Sequence, residues 1–115
     1  MATLNVYALL GKRALITRQS AGLIRDALLD AAADEEVILD FAGVEAVTPS
    51  FVDEVLANLE DIIARREKTT FRLIFLHPPT RLSSKFAAVG RARHLELTEA
   101  SDGAWTITGS GTAVR

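Results

Sequence analysis

Val37-Ile38-Leu39-Asp40-Phe41 is a short, mostly apolar run, and Thr48-Pro49-Ser50-Phe51-Val52-Asp53-Glu54 opens the strongest periodic segment in the chain. The first has the length and composition of a central strand covered on both faces. The second predicts a helix over residues 48–66, because Phe51, Val52, Val55, Leu56, Leu59, Ile62 and Ile63 recur at helical spacing while Asp53, Glu54, Glu60, Asp61, Arg65 and Arg66 take the other face. Acidic residues in its first turn and Arg65, Arg66 and Lys68 at its end are expected to suit the helix dipole. Thr48 followed by Pro49 reads as an N-cap with proline at the first helical position, and Ser50 with Asp53 reads as a capping pair one register later. A strand feeding a helix through Gly43 to Val47 is where sites gather in open α/β sheets.

Working outward, Thr3 to Leu9 alternates as a strand, and Ala14-Leu15-Ile16 follows Gly11-Lys12-Arg13 as a second short one, a hairpin or a strand, turn and strand. Thr17 or Ser20 caps a helix over about residues 18–33, with Ala21, Ile24, Leu28 and Ala31 on one face. Phe71 to Leu76 is a strand stopped by His77-Pro78-Pro79, and a helix over residues 80–89 ends at Gly90. Leu95 to Thr98 and Ala104 to Thr108 alternate across the turn residues Ser101-Asp102-Gly103 as a terminal hairpin. The order predicts an α/β sandwich: a mostly parallel or mixed sheet of four to five strands with about three helices, one domain over residues 1–108 and a flexible tail over 109–115.

Composition removes whole classes of chemistry. With no cysteine among 115 residues there is no disulfide framework and no thiolate nucleophile or metal ligand, and two histidines cannot by themselves make a metal site. No apolar stretch is long enough for a membrane span, and the basic residues of the N-terminus follow its apolar run, so the expected address is the cytoplasm. No phosphate-binding glycine loop occurs, so no nucleotide cofactor is expected. Arg81, Lys85, Arg91 and Arg93 give the third helix and its exit a basic character, which at a net charge of −2 is weak evidence for nucleic acid and points instead to an acidic protein partner.

Among single residues, Ser50 is either a capping hydroxyl or a phosphorylatable one, whose phosphate would gain from the helix dipole and be repelled by Asp53 and Glu54. Adjacent helical residues diverge by about 100°, so Asp53 and Glu54 are no catalytic pair and read as a solvated acidic rim. Arg18, a cation at a helix start, asks for an acidic partner or a ligand anion. Asp40, inside an apolar strand, reads as a hydrogen-bonded carboxylate, and His77 as a hydrogen-bonded loop residue. Ser83, Ser84 and Lys85 read as an exposed helix start.

Val37 to Val44, then Ser50-Phe51-Val52-Asp53-Glu54, preceded by Gly11, Leu15 and Thr17-Arg18, resembles the STAS-like family of bacterial domains, a relative of the STAS domain of sulfate transporters and anti-sigma factor antagonists. The resemblance spans about residues 10–90. It implies a regulatory protein-binding module without catalysis of its own, whose partner is a histidine-kinase-like ATPase acting as anti-sigma factor. In the antagonists the matching loop reads Asp-Ser-Ser-Gly and its second serine is phosphorylated; Ser50 falls on that serine, with Thr48, Pro49 and Phe51 in place of the aspartate, first serine and glycine. The implied contact set is Thr48, Pro49, Ser50, Phe51, Asp53 and Glu54. Two other readings stand beside it: a small-molecule sensor or accessory subunit using an apical crevice near Asp40, Ser50 and His77, and a homodimer built on an exposed apolar patch.

Overall fold

Two rows of side chains across one sheet make the core: Ala2, Val37, Leu73, Ile107 and Leu97 in one, Leu4, Leu39, Phe75, Trp105 and Glu99 in the next. The computed structural model describes residues 2–11, 14–15, 18–31, 36–66 and 71–109. In chain order the elements are β1 (Ala2–Asn5), α1 (Val6–Leu10), β2 (Ala14–Leu15), α2 (Arg18–Ala31), β3 (Glu36–Asp40), β4 (Ala46–Val47), α3 (Pro49–Arg66), β5 (Arg72–Leu76), α4 (Ser84–Ala92), β6 (Leu95–Glu99) and β7 (Trp105–Gly109). The main sheet runs β1-β3-β5-β7-β6, with the first three parallel and β7 antiparallel to both its neighbours; β2 and β4 form a separate parallel pair. This is the expected mixed α/β sheet, with a fourth helix.

The strands β1, β3 and β5 advance in one direction, and crossovers of one hand then place every connecting helix on the same face. Val37, Leu39, Leu73, Phe75, Trp105 and Ile107 are accordingly buried under α2, α3 and α4. Across the sheet, Thr3 is exposed, Ile38, Ile74 and Thr106 are half-buried, and Thr98 is exposed. The expectation that β3 is covered on both faces is therefore corrected: its apolar run reflects Ile38 packing against its neighbours Thr3 and Ile74 within an open face. The centre is aromatic, with Phe75 stacked on Trp105 at 5.5 Å and Phe86 tilted against the indole at 5.1 Å.

Local chemistry explains the other departures. The expected strand over Thr3 to Leu9 stops at Asn5, whose side chain accepts from the Ala8 N–H at 2.7 Å and so caps a one-turn helix that ends on Gly11 at φ 65°. β1 thus pairs with β3 rather than forming a hairpin with β2. The last helix starts later than expected, at Ser84 with Ser83 as its cap, and runs through Gly90 to Ala92. Gly90 is needed for contact, since a β-carbon there would lie 2.2 Å from Leu97 Cδ1. β7 includes Gly109. Ser20 lies inside α2 and not at its cap. Thr17, Ala32, Ala33, Lys68, the side chains of Arg65 and Arg66, and residues 110–115 lie outside the described residues.

Candidate functional site

Parallel strands bring Asn5, Asp40 and Leu76 into register at their C-terminal ends, and the loop leaving β3 starts there. Asp40 Oδ1 accepts from the Ala42 N–H at 3.0 Å, Val44 N–H donates to Phe41 O at 2.9 Å, and Gly43 takes φ 90°. That is a tight turn needing glycine at its third position, where a β-carbon would also press on Tyr7 at 3.0 Å. Phe41 before the turn and Phe51 after it both enter the core, edge to face at 6.3 Å. Between them β4 is held beside β2. The loop is fixed at both ends and along its length.

Thr48 caps α3 as expected: its Oγ1 accepts from the Phe51 N–H at 3.3 Å and its carbonyl from the Val52 N–H at 3.1 Å, with Pro49 at the first helical position. Ser50 is the second helical residue, exposed, and its hydroxyl makes no hydrogen bond among the described residues. The expected Ser50–Asp53 capping pair does not form, because Thr48 already serves that turn. Phe51 is fully buried and is no part of any contact surface, which corrects the set implied by the resemblance.

Asp53 is not a solvated rim. It sits past the first turn of α3, and three guanidinium nitrogens close on its carboxylate: Arg93 Nε to Oδ1 at 3.1 Å, Arg93 Nη2 to Oδ2 at 3.2 Å, and Arg18 Nη1 to Oδ2 at 2.8 Å. Arg18 also reaches Glu54 Oε1 at 3.4 Å, and Arg93 reaches Glu60 at 3.7 Å. The Arg93 hydrogen bonds, joined by those of Arg18, hold the Asp53 carboxyl below its ordinary range against the opposing effect of burial. Both arginines are pushed up in turn, chiefly by their bonds to Asp53. Arg18 thus has the acidic partners its place at a helix start asks for. Arg93, read from the sequence as part of a basic surface, is turned inward; nothing within its own segment signals a partner 40 residues away.

Asp40 and His77 meet as well, Oδ1 to Nδ1 at 3.0 Å, with His77 held at φ 54° and mostly exposed. Burial alone would raise the Asp40 carboxyl, but the His77 contact and the Ala42 N–H outweigh it and lower it. A cavity of about 210 Å³ adjoins His77, walled by Pro78, Thr80, Arg81, Glu99 and Asp102 among others; neither Asp40 nor Ser50 lines it. Arg81 and the Leu82 N–H hold the Glu99 carboxylate at 3.1 Å each. Among the described residues no cluster of three histidine or acidic side chains is placed to hold a metal ion, and no helix is long and apolar enough to cross a membrane.

A family model described as a STAS-like domain of unknown function matches residues 20–78, just over half of the chain, from α2 through the loop and α3 to the end of β5 and His77. No curated protein and no solved structure gives a significant match.

Proposed function

The chain belongs to the family of STAS-like domains of unknown function, and on that premise we propose that it is a regulatory module that binds a protein partner through the start of α3. The partner proposed is an ATPase-type kinase, and Ser50 is the switch. One observation carries this reading: Ser50 presents a free, exposed hydroxyl on the first turn of an 18-residue helix whose cap is already supplied by Thr48. The structural job that would explain a serine there is done by another residue. Ser50 and Arg18 are exposed and Thr48, Pro49 and Glu54 are half-buried, and together these form the accessible contact set.

The charges around Ser50 suit a switch. Asp53 and Glu54 follow it at three and four residues, on the same helix face, and repel a phosphate carrying about −1.5 to −2 charges. Arg18 bonds both carboxylates and is mostly exposed, so the phosphate competes with them for its guanidinium. Phosphorylation would then change the charge pattern of the docking surface and leave the core beneath it, Phe41 and Phe51, in place.

The test is affinity capture from lysate with wild-type and Ser50→Asp chains, followed by mass spectrometry of captured proteins and of Ser50 itself. Capture of an ATPase-type kinase by wild type only, with a phosphate found on Ser50, is the expected result. Equal capture by both chains removes the switch, and an unfolded Ser50→Asp chain returns the residue to a structural role.

The Asp40–His77 pair favours a second reading, a small-molecule sensor. A carboxylate on Nδ1 fixes the ring and leaves Nε2 for a ligand beside the cavity. A metabolite carried through purification and displaced in His77→Ala would support it.

A further inference from the structure

At the far edge of the sheet, two strands beyond β5, the outer side of β6 has no neighbouring strand among the described residues. The Ala100 N–H donates to Ala104 O at the hairpin end, and the antiparallel alternation that follows turns the N–H and C=O groups of Leu97 and Glu99 away from β7. Natural edges are blunted by charged side chains, lysine above all, and by proline, bulges or very short strands. β6 has no lysine, proline or bulge, and all five of its residues pair in register with β7; of its two charges, Glu96 lies on the open face and the Glu99 carboxylate is held by Arg81 and the Leu82 N–H. Along it runs a groove of about 590 Å³, walled by Ala87 and Arg91 of α4, by His94, and by Leu95 to Thr98 of the strand. The close seat of Gly90 on Leu97 fixes α4 as its rigid wall.

We infer that this edge takes an extended acidic segment of another protein as a sixth strand. Side chains of an added strand alternate between faces. Those on the helix side meet Leu95, Leu97, Ala87 and the Arg91 guanidinium; those on the open side meet Glu96 and Thr98. The first set selects apolar and acidic residues, the second hydroxyl-bearing ones. On the helix side the charge is that of Arg91, which has no ion-pair partner among the described residues, unlike Arg81 and Arg93, and α4 carries no acidic residue; the groove's carboxylate, Glu96, lies on the open side. A second copy suits the edge less well. In antiparallel pairing centred on Leu97, Leu95 would face Glu99 of the copy, and that carboxylate is already held by Arg81 and the Leu82 N–H. No free acid would reach Arg91. None of the residues walling the groove belongs to the contact set proposed at the start of α3, and the inference does not rest on the role proposed for Ser50.

The experiment uses the full chain and a fluorescein-labelled peptide of about eight residues in which threonine alternates with valine and glutamate, with lysine replacing glutamate in a control. Saturable anisotropy with the acidic probe, together with slowed amide exchange at Leu97 and Glu99, is expected. Arg91→Glu, a surface change, should lower the melting temperature only slightly, by reversing a charge that suits the dipole in the last turn of α4, while weakening the acidic probe about tenfold or more and favouring the lysine control. Three results overturn the inference: no saturable binding, binding that leaves Leu97 and Glu99 exchange unchanged, or equal affinity in Arg91→Glu. Protection of those amides that rises with protein concentration without peptide, alongside a dimer in sedimentation, assigns the edge to a second copy instead.

Discussion

Arg93 grips Asp53 through two parallel hydrogen bonds, Nε to Oδ1 at 3.1 Å and Nη2 to Oδ2 at 3.2 Å, and so ties the end of α4 to the early turns of α3. The fork geometry of a guanidinium suits this contact and an ammonium does not, so Arg93→Lys should recover only part of it. The pair is neither fully exposed nor fully buried. Asp53→Ala should therefore cost about 1–2 kcal/mol, between the values for surface and buried pairs, measured by denaturant unfolding.

The same carboxylate makes stability depend on pH. Its folded pKa lies below the ordinary 3.8, so its contribution is complete above that value and is lost as pH falls through the lowered one. Wild type should lose more stability than Asp53→Asn between about pH 6 and about pH 2. Parallel curves for the two chains would contradict the assignment.

Thr48 and Ser50, two residues apart, should respond in opposite ways. Thr48→Ala removes the cap and should cost about 1 kcal/mol. Ser50→Ala touches no hydrogen bond and should stay within about 0.5 kcal/mol of wild type. A large loss at Ser50 would show that its hydroxyl has a structural partner.

Gly90→Ala improves helix propensity by about 0.5–1 kcal/mol but drives a methyl into Leu97 Cδ1. Leu97 is itself buried beneath α4, so overpacking of about 1–3 kcal/mol should win and the variant should melt lower. In a Leu97→Val background, which lacks that Cδ1, the same change should become neutral or stabilising. Additive effects in this double-mutant cycle would contradict the contact.

Asp40 should titrate below the ordinary carboxyl range in carbon NMR, and His77→Ala should move it upward by removing the 3.0 Å contact. The Ala42 N–H remains, so the shift should be partial. His77→Asn tolerates φ 54° better than His77→Val, and the valine variant should be the less stable of the two.

What could be read from the residues in order, and what could not, divides along a physical line. The stripe of Val52, Val55, Leu56, Leu59 and Ile62 specifies α3, and the apolar runs at Val37 and Leu73 specify β3 and β5, because periodicity is a property of one segment against whatever covers it. The Thr48-Pro49 cap and the Ser101-Asp102-Gly103 turn are local for the same reason. The end of β1 at Asn5 was local too, since a capping side chain and Gly11 bound α1, but alternation in Thr3 to Leu9 pointed the other way.

Other features are set only when distant segments meet. Which face of β3 is covered follows from the hand and direction of the crossovers, not from Ile38. Whether Phe51 faces a partner or the core depends on Phe41 meeting it across the loop. Asp53 is a clamp rather than a solvated rim because Arg18 and Arg93 arrive from 35 and 40 residues away. Side-chain pattern along the chain determines which elements form; the packing of those elements decides which of their charges and surfaces are left for anything else to bind.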